Sequence, residues 1–206
     1  DDSFYATSRD GMIASAKTLV PMLMNYLEWP QRVIDVGCGE GWWGLEFEKQ
    51  NCQVTGIDGG WHGEHRLGVK FIPHDLKHKL PADLKHSFDT VVCLEVAEHL
   101  SKSRAQSFVK DLCDLVDGNG YVVFSAAIPG QGGTGHINER WPDYWAELFW
   151  QNGFSVNSDF RFTIWDNEGI ENWYRQNLMI AYPARGAVDM TPPLSVVHPV
   201  LWKART

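Results

Sequence analysis

The chain reads as an α/β protein, a doubly wound and mostly parallel sheet with helices packed on both faces. Three observations carry that reading. From residue 33 onward, short β-branched runs alternate with helical stretches. The runs are almost continuously apolar, as strands buried on both faces must be. The first run also feeds straight into Asp35-Val36-Gly37-Cys38-Gly39-Glu40-Gly41-Trp42-Trp43-Gly44, a glycine-rich turn opening a helix, and open parallel sheets bind nucleotides at such strand ends.

Taken in order, Met12, Ile13, Leu19, Val20, Met22, Leu23 and Leu27 recur at helical period, which predicts a covering helix over 11–27 that Pro21 should kink. Strands follow at Val33–Val36, Val54–Asp58, Val69–Ile72, Thr90–Leu94 and Tyr121–Ser125. Between the last two, Ala105, Phe108, Val109, Leu112, Leu115 and Val116 are spaced for a helix that Gly118 and Gly120 should end. Another helix is predicted over Pro142–Asn152, with Pro in its first turn, Trp145, Leu148 and Phe149 facing inward, and Gly153 closing it. Phe154–Trp165 and Asn177–Tyr182 read as two more strands, antiparallel, around a short helix near Asn167–Arg175. The stretch 183–206, punctuated by Pro183, Pro192, Pro193 and Pro199, reads as irregular chain docked on the body. The expected organisation is a single domain over 1–206: covering helix 1–30, core 31–182, tail 183–206.

Composition narrows the partners. The 206 residues, 44% hydrophobic and 21% charged, suffice for one sizeable core and carry no signature of disorder. Eighteen Lys and Arg against 26 Asp and Glu leave a net charge of −8, which disfavours nucleic acid as a partner. No apolar run approaches the roughly 18 residues that span a bilayer, and Asp-Asp-Ser-Phe-Tyr at the start has neither a basic nor an apolar leader region, so a cytoplasmic protein without a membrane partner is expected. Cys38, Cys52, Cys93 and Cys113 form no Cys-x-x-Cys pair and read as buried free thiols.

The glycine turn argues for an adenosine ligand without a pyrophosphate. A dinucleotide fingerprint needs glycine at position 42 for close helix packing, and Trp42 stands there. Asp58, ending the second strand, can accept both hydroxyls of an adenosine ribose. A Cβ at Gly37 is expected to fill the space of the ligand.

These residues, with His74-Asp75-Leu76 after the third strand and Phe88-Asp89-Thr90-Val91-Val92 leading to Glu95-Val96-Ala97-Glu98-His99-Leu100, resemble the class I S-adenosylmethionine-dependent methyltransferases over residues 30 to 182. The resemblance implies a Rossmann-like, seven-stranded sheet of order 3-2-1-4-5-7-6. It also implies that Gly37 and Gly39 admit the methionine moiety, that Asp35 orients its amino group and Asp58 holds the ribose. Asp75 would hold the adenine amino group with Leu76 nearby, and Leu94 would flank the cofactor below the methyl. Gly135-His136-Ile137-Asn138-Glu139 with Tyr144, Trp145, Leu148 and Asn152-Gly153-Phe154 is similar to the ubiquinone-biosynthesis-like subgroup, rich in small-molecule O-methyltransferases. The glycine stretch 129–135 and the Trp-rich helix depart from that subgroup.

Two chemistries stay open at the acidic-histidine segment. Glu95, Glu98 and His99, spaced by three and four, share one face if the chain turns helical there, and with His136 they suit a divalent ion. Alternatively no metal binds, and His136 or His99 is the general base. Trp141, Tyr144 and Trp145 are expected on the acceptor side, where indole faces suit a sugar, although tryptophan at helical spacing is more often core. The loop 129–135 reads as a mobile lid in preference to a phosphate cradle. His62, His65, His74, His78, His86 and His198 show no convergent spacing and read as surface or satisfied residues.

The expected activity is O-methylation of a small hydroxylated acceptor, a sugar or a phenol. The alternatives are an RNA 2′-O-methyltransferase and a catalytically silent interaction subunit of the same fold. The oligomeric state is not legible.

Overall fold

The computed structural model describes residues 2–59 and 70–205. Seven strands, β1 (Arg32–Val36), β2 (Gln53–Asp58), β3 (Lys70–Pro73), β4 (Phe88–Leu94), β5 (Val116–Ser125), β6 (Phe154–Asn157) and β7 (Met179–Pro183), form one sheet of order β3-β2-β1-β4-β5-β7-β6. All neighbours are parallel except β7, which runs antiparallel to β5 and β6. This is the order implied by the family resemblance. The order in which successive strands are laid down reverses between the parallel neighbours β1 and β4, so a crevice opens at their carboxyl ends.

Strand alternation divides the core into two layers. Val33, Val54, Val92, Val123 and Ile180 face α1 (Asp2–Tyr26), α2 (Trp42–Lys49), α5 (Phe160–Ile164) and α6 (Asn172–Asn177), where Leu19, Leu23, Phe47, Ile164 and Tyr174 meet them. Ile34, Ile57, Val91, Val122 and Phe124 face α3 (Lys102–Leu115) and α4 (Pro142–Gln151), packing on Phe108, Leu112, Trp145 and Phe149. Burial of each large side chain contributes about 1.5–3 kcal/mol, and these two layers supply the driving force for the fold. All four cysteines are free and buried. Among the described residues no helix is long and apolar enough to cross a membrane.

Several elements differ from the sequence reading. The first helix begins earlier and runs on through Pro21, which is exposed. Val69, His62 and His65 lie outside the described residues. Val116, expected to end a helix, starts β5 opposite Phe88, and the next register pair is Thr90 with Tyr121, so residues 117–120 are absorbed as a bulge. Gly120 is required in it, because a Cβ there would lie 2.5 Å from the Asp89 carbonyl oxygen. The expected strand 154–165 breaks after Asn157, and Phe160 and Ile164, spaced by four, are buried as the inner face of the short helix α5. The tail is irregular and docked as expected, with Ala184 N–H donating to the Gly153 carbonyl and Asp189 N–H to Ser155 Oγ. It closes, however, in helix α7 (Pro199–Arg205), whose first-turn proline needs no N–H.

Candidate active site

The donor half of the crevice is built where β1 meets α2. Gly37, Gly39 and Gly41 have φ of 80°, 52° and 83°, a left-handed run that turns the chain back over the strand ends. The N–H of Gly37 donates to the Ile57 carbonyl at 2.8 Å, tying the turn to β2. Asp58 is clamped by the turn itself, with Oδ2 accepting the Gly39 N–H at 2.7 Å and Oδ1 the Gly59 N–H at 2.6 Å. A Cβ on Gly39 would meet nothing within 4 Å. On Gly37 it would lie 2.4 Å from Val96 Cγ2, so backbone conformation and the Val96 side chain already require glycine there.

Asp35 projects from β1 beneath this turn, 2% exposed, with Oδ2 lacking any partner. Burial first and the Asp58 carboxylate second push its pKa up to about 7, against the opposing hydrogen bond from the Gly44 backbone. Asp35, Gly37, Gly39 and Asp58 are thus brought together. Asp75 stands just past β3, half-buried, its Oδ1 accepting the Lys77 N–H at 3.0 Å. Leu76 and Leu94, 7% and 8% exposed, sit in opposite core layers at the same edge.

The acceptor half follows β4 and β5. Past β4 the chain does not continue as one regular helix. Glu95 takes φ 54° and a 3₁₀ turn forms over Ala97–His99. Glu98, His99 and His136 consequently converge, with ligating atoms within 4.8 Å of one another, while Glu95 is not part of that cluster. Its carboxylate accepts hydrogen bonds from Gln131 Nε2 at 2.8 Å and Asn177 Nδ2 at 3.1 Å. Burial raises the Glu95 pKa, opposed by hydrogen bonds from Asn177, Ser125 and Gln131.

Glu98 is fully buried and neither carboxylate oxygen has a hydrogen-bond partner. Burial and the neighbouring Glu95 push its pKa well above the usual range. His136 lies with Nε2 3.9 Å from Glu98 Oε1 and Nδ1 3.0 Å from Glu139 Oε1, its ring edge-on to His99 at 4.8 Å between centroids. Burial, then His136, lowers the His99 pKa. Glu139 stays below its ordinary value although burial would raise it, because the Gly130 N–H and His136 outweigh that effect.

The loop expected to be a mobile lid is pinned on both flanks. Gly130 N–H donates to Glu139, and Ile137 and Asn138 N–H both donate to the Glu98 carbonyl, while 129–130, 133–135 and Ile137 are exposed. Gly133 has no room for a side chain, since its Cβ would lie 2.4 Å from the His136 ring. Trp141 is exposed at the start of α4, and Tyr144 is half-buried under the Arg140 guanidinium. Trp145 faces inward as the helical spacing predicted: at 1% exposure it packs on Phe124 as core, which corrects its placement on the acceptor side. His198 is buried and satisfied by the Trp165 carbonyl.

Sequence reasoning missed Gln131, Gln176 and Asn177. The only signal was a pair of adjacent amides ahead of the apolar run Leu178–Ala181, where unpaired polar groups would be costly if buried.

Comparison with known proteins agrees with this geometry. Residues 9–173 match the family model described as a methyltransferase domain. A ubiquinone biosynthesis O-methyltransferase from Shewanella halifaxensis is 27% identical over 130 residues, 56% of this chain and 54% of that protein. One of the same name from Yersinia pestis is 27% identical over 120 residues, covering 51% and 48%. The chain spans about half the length of these curated relatives. In structure, it resembles an S-adenosylmethionine-dependent methyltransferase from Archaeoglobus fulgidus, with a TM-score of 0.65, 16% identity and coverage of 88% and 99%. A 1,6-didemethyltoxoflavin-N1-methyltransferase from Burkholderia thailandensis gives 0.61, 18%, and coverage of 88% and 84%.

Proposed function

This chain belongs to the methyltransferase-domain family, and on that premise we propose that it uses S-adenosylmethionine to methylate an oxygen of a small hydroxylated acceptor, a phenol or a sugar. One observation carries the reading: the crevice holds a carboxylate clamped by a glycine turn on one side and, on the other, the buried Glu98 meeting the half-buried His136 and the exposed His99. The residues present fit the cofactor. Asp35 has a buried oxygen free to meet a cationic amino group, and the space over Gly39 is open beside Asp58. When bound, S-adenosylmethionine supplies a methyl group activated by its sulfonium. The chain's own contribution is positioning and proton removal. Asp35 and Asp58 bind the donor, with Gly37 and Gly39 shaping the turn, and Asp75, Leu76 and Leu94 border the adenosine. Trp141 and Tyr144 contact the acceptor, and His136 or His99 takes its proton.

The relatives' name favours oxygen as the atom methylated. The net charge of −8 disfavours RNA. The buried, unpartnered Glu98 beside two imidazoles favours a further element, a divalent cation held by Glu98, His99 and His136, which would place positive charge beside the acceptor oxygen. Glu95 joins that set only if it leaves Gln131 and Asn177.

Calorimetric titration with S-adenosylhomocysteine, then a methyl-transfer screen over phenol, sugar and RNA pools, tests the proposal. Binding with transfer to phenols or sugars supports it; transfer to RNA, or binding with no transfer, selects the RNA enzyme or the silent subunit. Asp58→Ala should weaken S-adenosylhomocysteine binding by about 1.5–3 kcal/mol, the worth of a charge-assisted hydrogen bond. Unchanged affinity in a variant that still melts cooperatively removes Asp58 from the ribose site.

A further inference from the structure

Behind Glu95 lies a chain of side-chain amides that reaches the far end of the polypeptide. Gln176 and Asn177, each 1% exposed, end α6, and His198, 4% exposed, precedes α7. The backbone N–H of His198 donates to Gln176 Oε1 at 2.7 Å. Gln176 Nε2 donates to Asn177 Oδ1 at 2.9 Å and to Gln131 Oε1 at 3.2 Å. Asn177 Nδ2 donates to Gln131 Oε1 at 2.8 Å as well as to Glu95.

We propose that Gln176 is a positioning residue: held from behind by the His198 N–H, it fixes the orientation of the Asn177 and Gln131 amides so that both present N–H donors to Glu95. The polarity runs one way. A backbone N–H can only donate, so the Gln176 oxygen must face His198 and its NH₂ must face inward. An NH₂ can only donate, so the atoms it meets on Asn177 and Gln131 are their oxygens. Each of those amides then has only its own NH₂ to turn toward Glu95. Reversing any member sets oxygen against oxygen or N–H against N–H in a buried site. His198 is itself seated by the Trp165 carbonyl, 3.0 Å from its Nε2, and by the Val200 N–H on its Nδ1. Chain more than seventy residues past the last parallel strand thus orders the acceptor edge, because Gln131 also anchors the loop after β5 by accepting the Ile128 N–H.

The functional weight of this relay rests on the reading of that edge as the acceptor side, but its test does not. In the 206-residue chain, the side-chain NH₂ resonances of Gln131 and Asn177 should exchange with solvent at least tenfold more slowly than those of exposed amides. Gln176→Glu keeps the acceptor for His198 and loses the inward donor. It should speed exchange at both groups at least tenfold while the S-adenosylhomocysteine Kd moves less than threefold. His198→Pro deletes the N–H and should do the same, whereas His198→Ala keeps it and should have a clearly smaller effect. Unchanged exchange in Gln176→Glu, or equal effects of His198→Pro and His198→Ala, overturns the relay. Should Gln176→Glu fail to fold, the comparison of the two His198 variants decides. Failure of the parent chain to bind S-adenosylhomocysteine would count against the methyltransferase reading and leave the amide measurement intact.

Discussion

Asp35→Asn is expected to make the ligand-free chain more stable above neutral pH and to bind S-adenosylhomocysteine at least tenfold more weakly. The folded chain holds the Asp35 proton up to about pH 7, through burial and the Asp58 charge. An unfolded aspartate releases it near 3.9. A raised carboxyl pKa means the native state binds the proton more tightly than the unfolded one. Its contribution is therefore fully present at acid pH and is lost as pH rises from about 4 through about 7. A gap of about 3 units corresponds to at most about 4 kcal/mol. Asparagine stays neutral throughout, so its advantage should be small near pH 4 and approach about 2–4 kcal/mol at pH 8. Urea midpoints of parent and variant at the two pH values measure this, and a pH-independent difference would contradict it. The weaker ligand binding follows from the same charge, since a cationic amino group repays the cost of ionising Asp35. The parent should accordingly release a proton on binding at pH 6.5, seen as an enthalpy that depends on the buffer.

Strands and the glycine turn were legible because their signals are local. An apolar run of Val and Ile can be satisfied only by a buried strand, and Gly37, Gly39 and Asp58 are tied to one another by the turn they make. What was not legible depends on distant chain. The spacing of Glu95, Glu98 and His99 suggested one shared face, but Glu95 turns into the left-handed region to meet Gln131 and Asn177, amides 36 and 82 residues away. For Trp145 the helical spacing, which turned it inward with Leu148 and Phe149, was the better guide than the aromatic content that suggested an acceptor contact, and its packing on Phe124 makes it core. The bulge at 117–120 likewise depends on the backbone of Asp89 across the sheet, which no helix-ending rule for Gly118 and Gly120 could supply.

Glu98→Gln separates the two chemistries left open at the acceptor side. Glu98, fully buried beside the Glu95 carboxylate, carries either a proton or a cation, because burial and that neighbour outweigh the backbone N–H groups that favour its charge. If a divalent cation binds, glutamine removes both a charge and a ligand. Methyl transfer should then fall by about a hundredfold or more, and Mn²⁺ binding measured by calorimetry should disappear. In that case EDTA abolishes the activity of the parent and Mg²⁺, Mn²⁺ or Zn²⁺ restores it. If Glu98 carries a proton instead, glutamine is a close mimic, turnover stays within a few fold, and EDTA has no effect. The base is then an imidazole. With burial and His136 lowering the His99 pKa, a reaction that uses His99 should keep its rate to a pH below the ordinary histidine value of about 6.5 and fall only beneath that, as the base becomes protonated. EDTA-resistant turnover rejects the cation, and full activity in both His99→Ala and His136→Ala rejects the imidazole base. Loss in His136→Ala alone, with Mn²⁺ binding absent in the parent, assigns the proton to His136, the imidazole that Gly133 leaves room for and Glu139 orients.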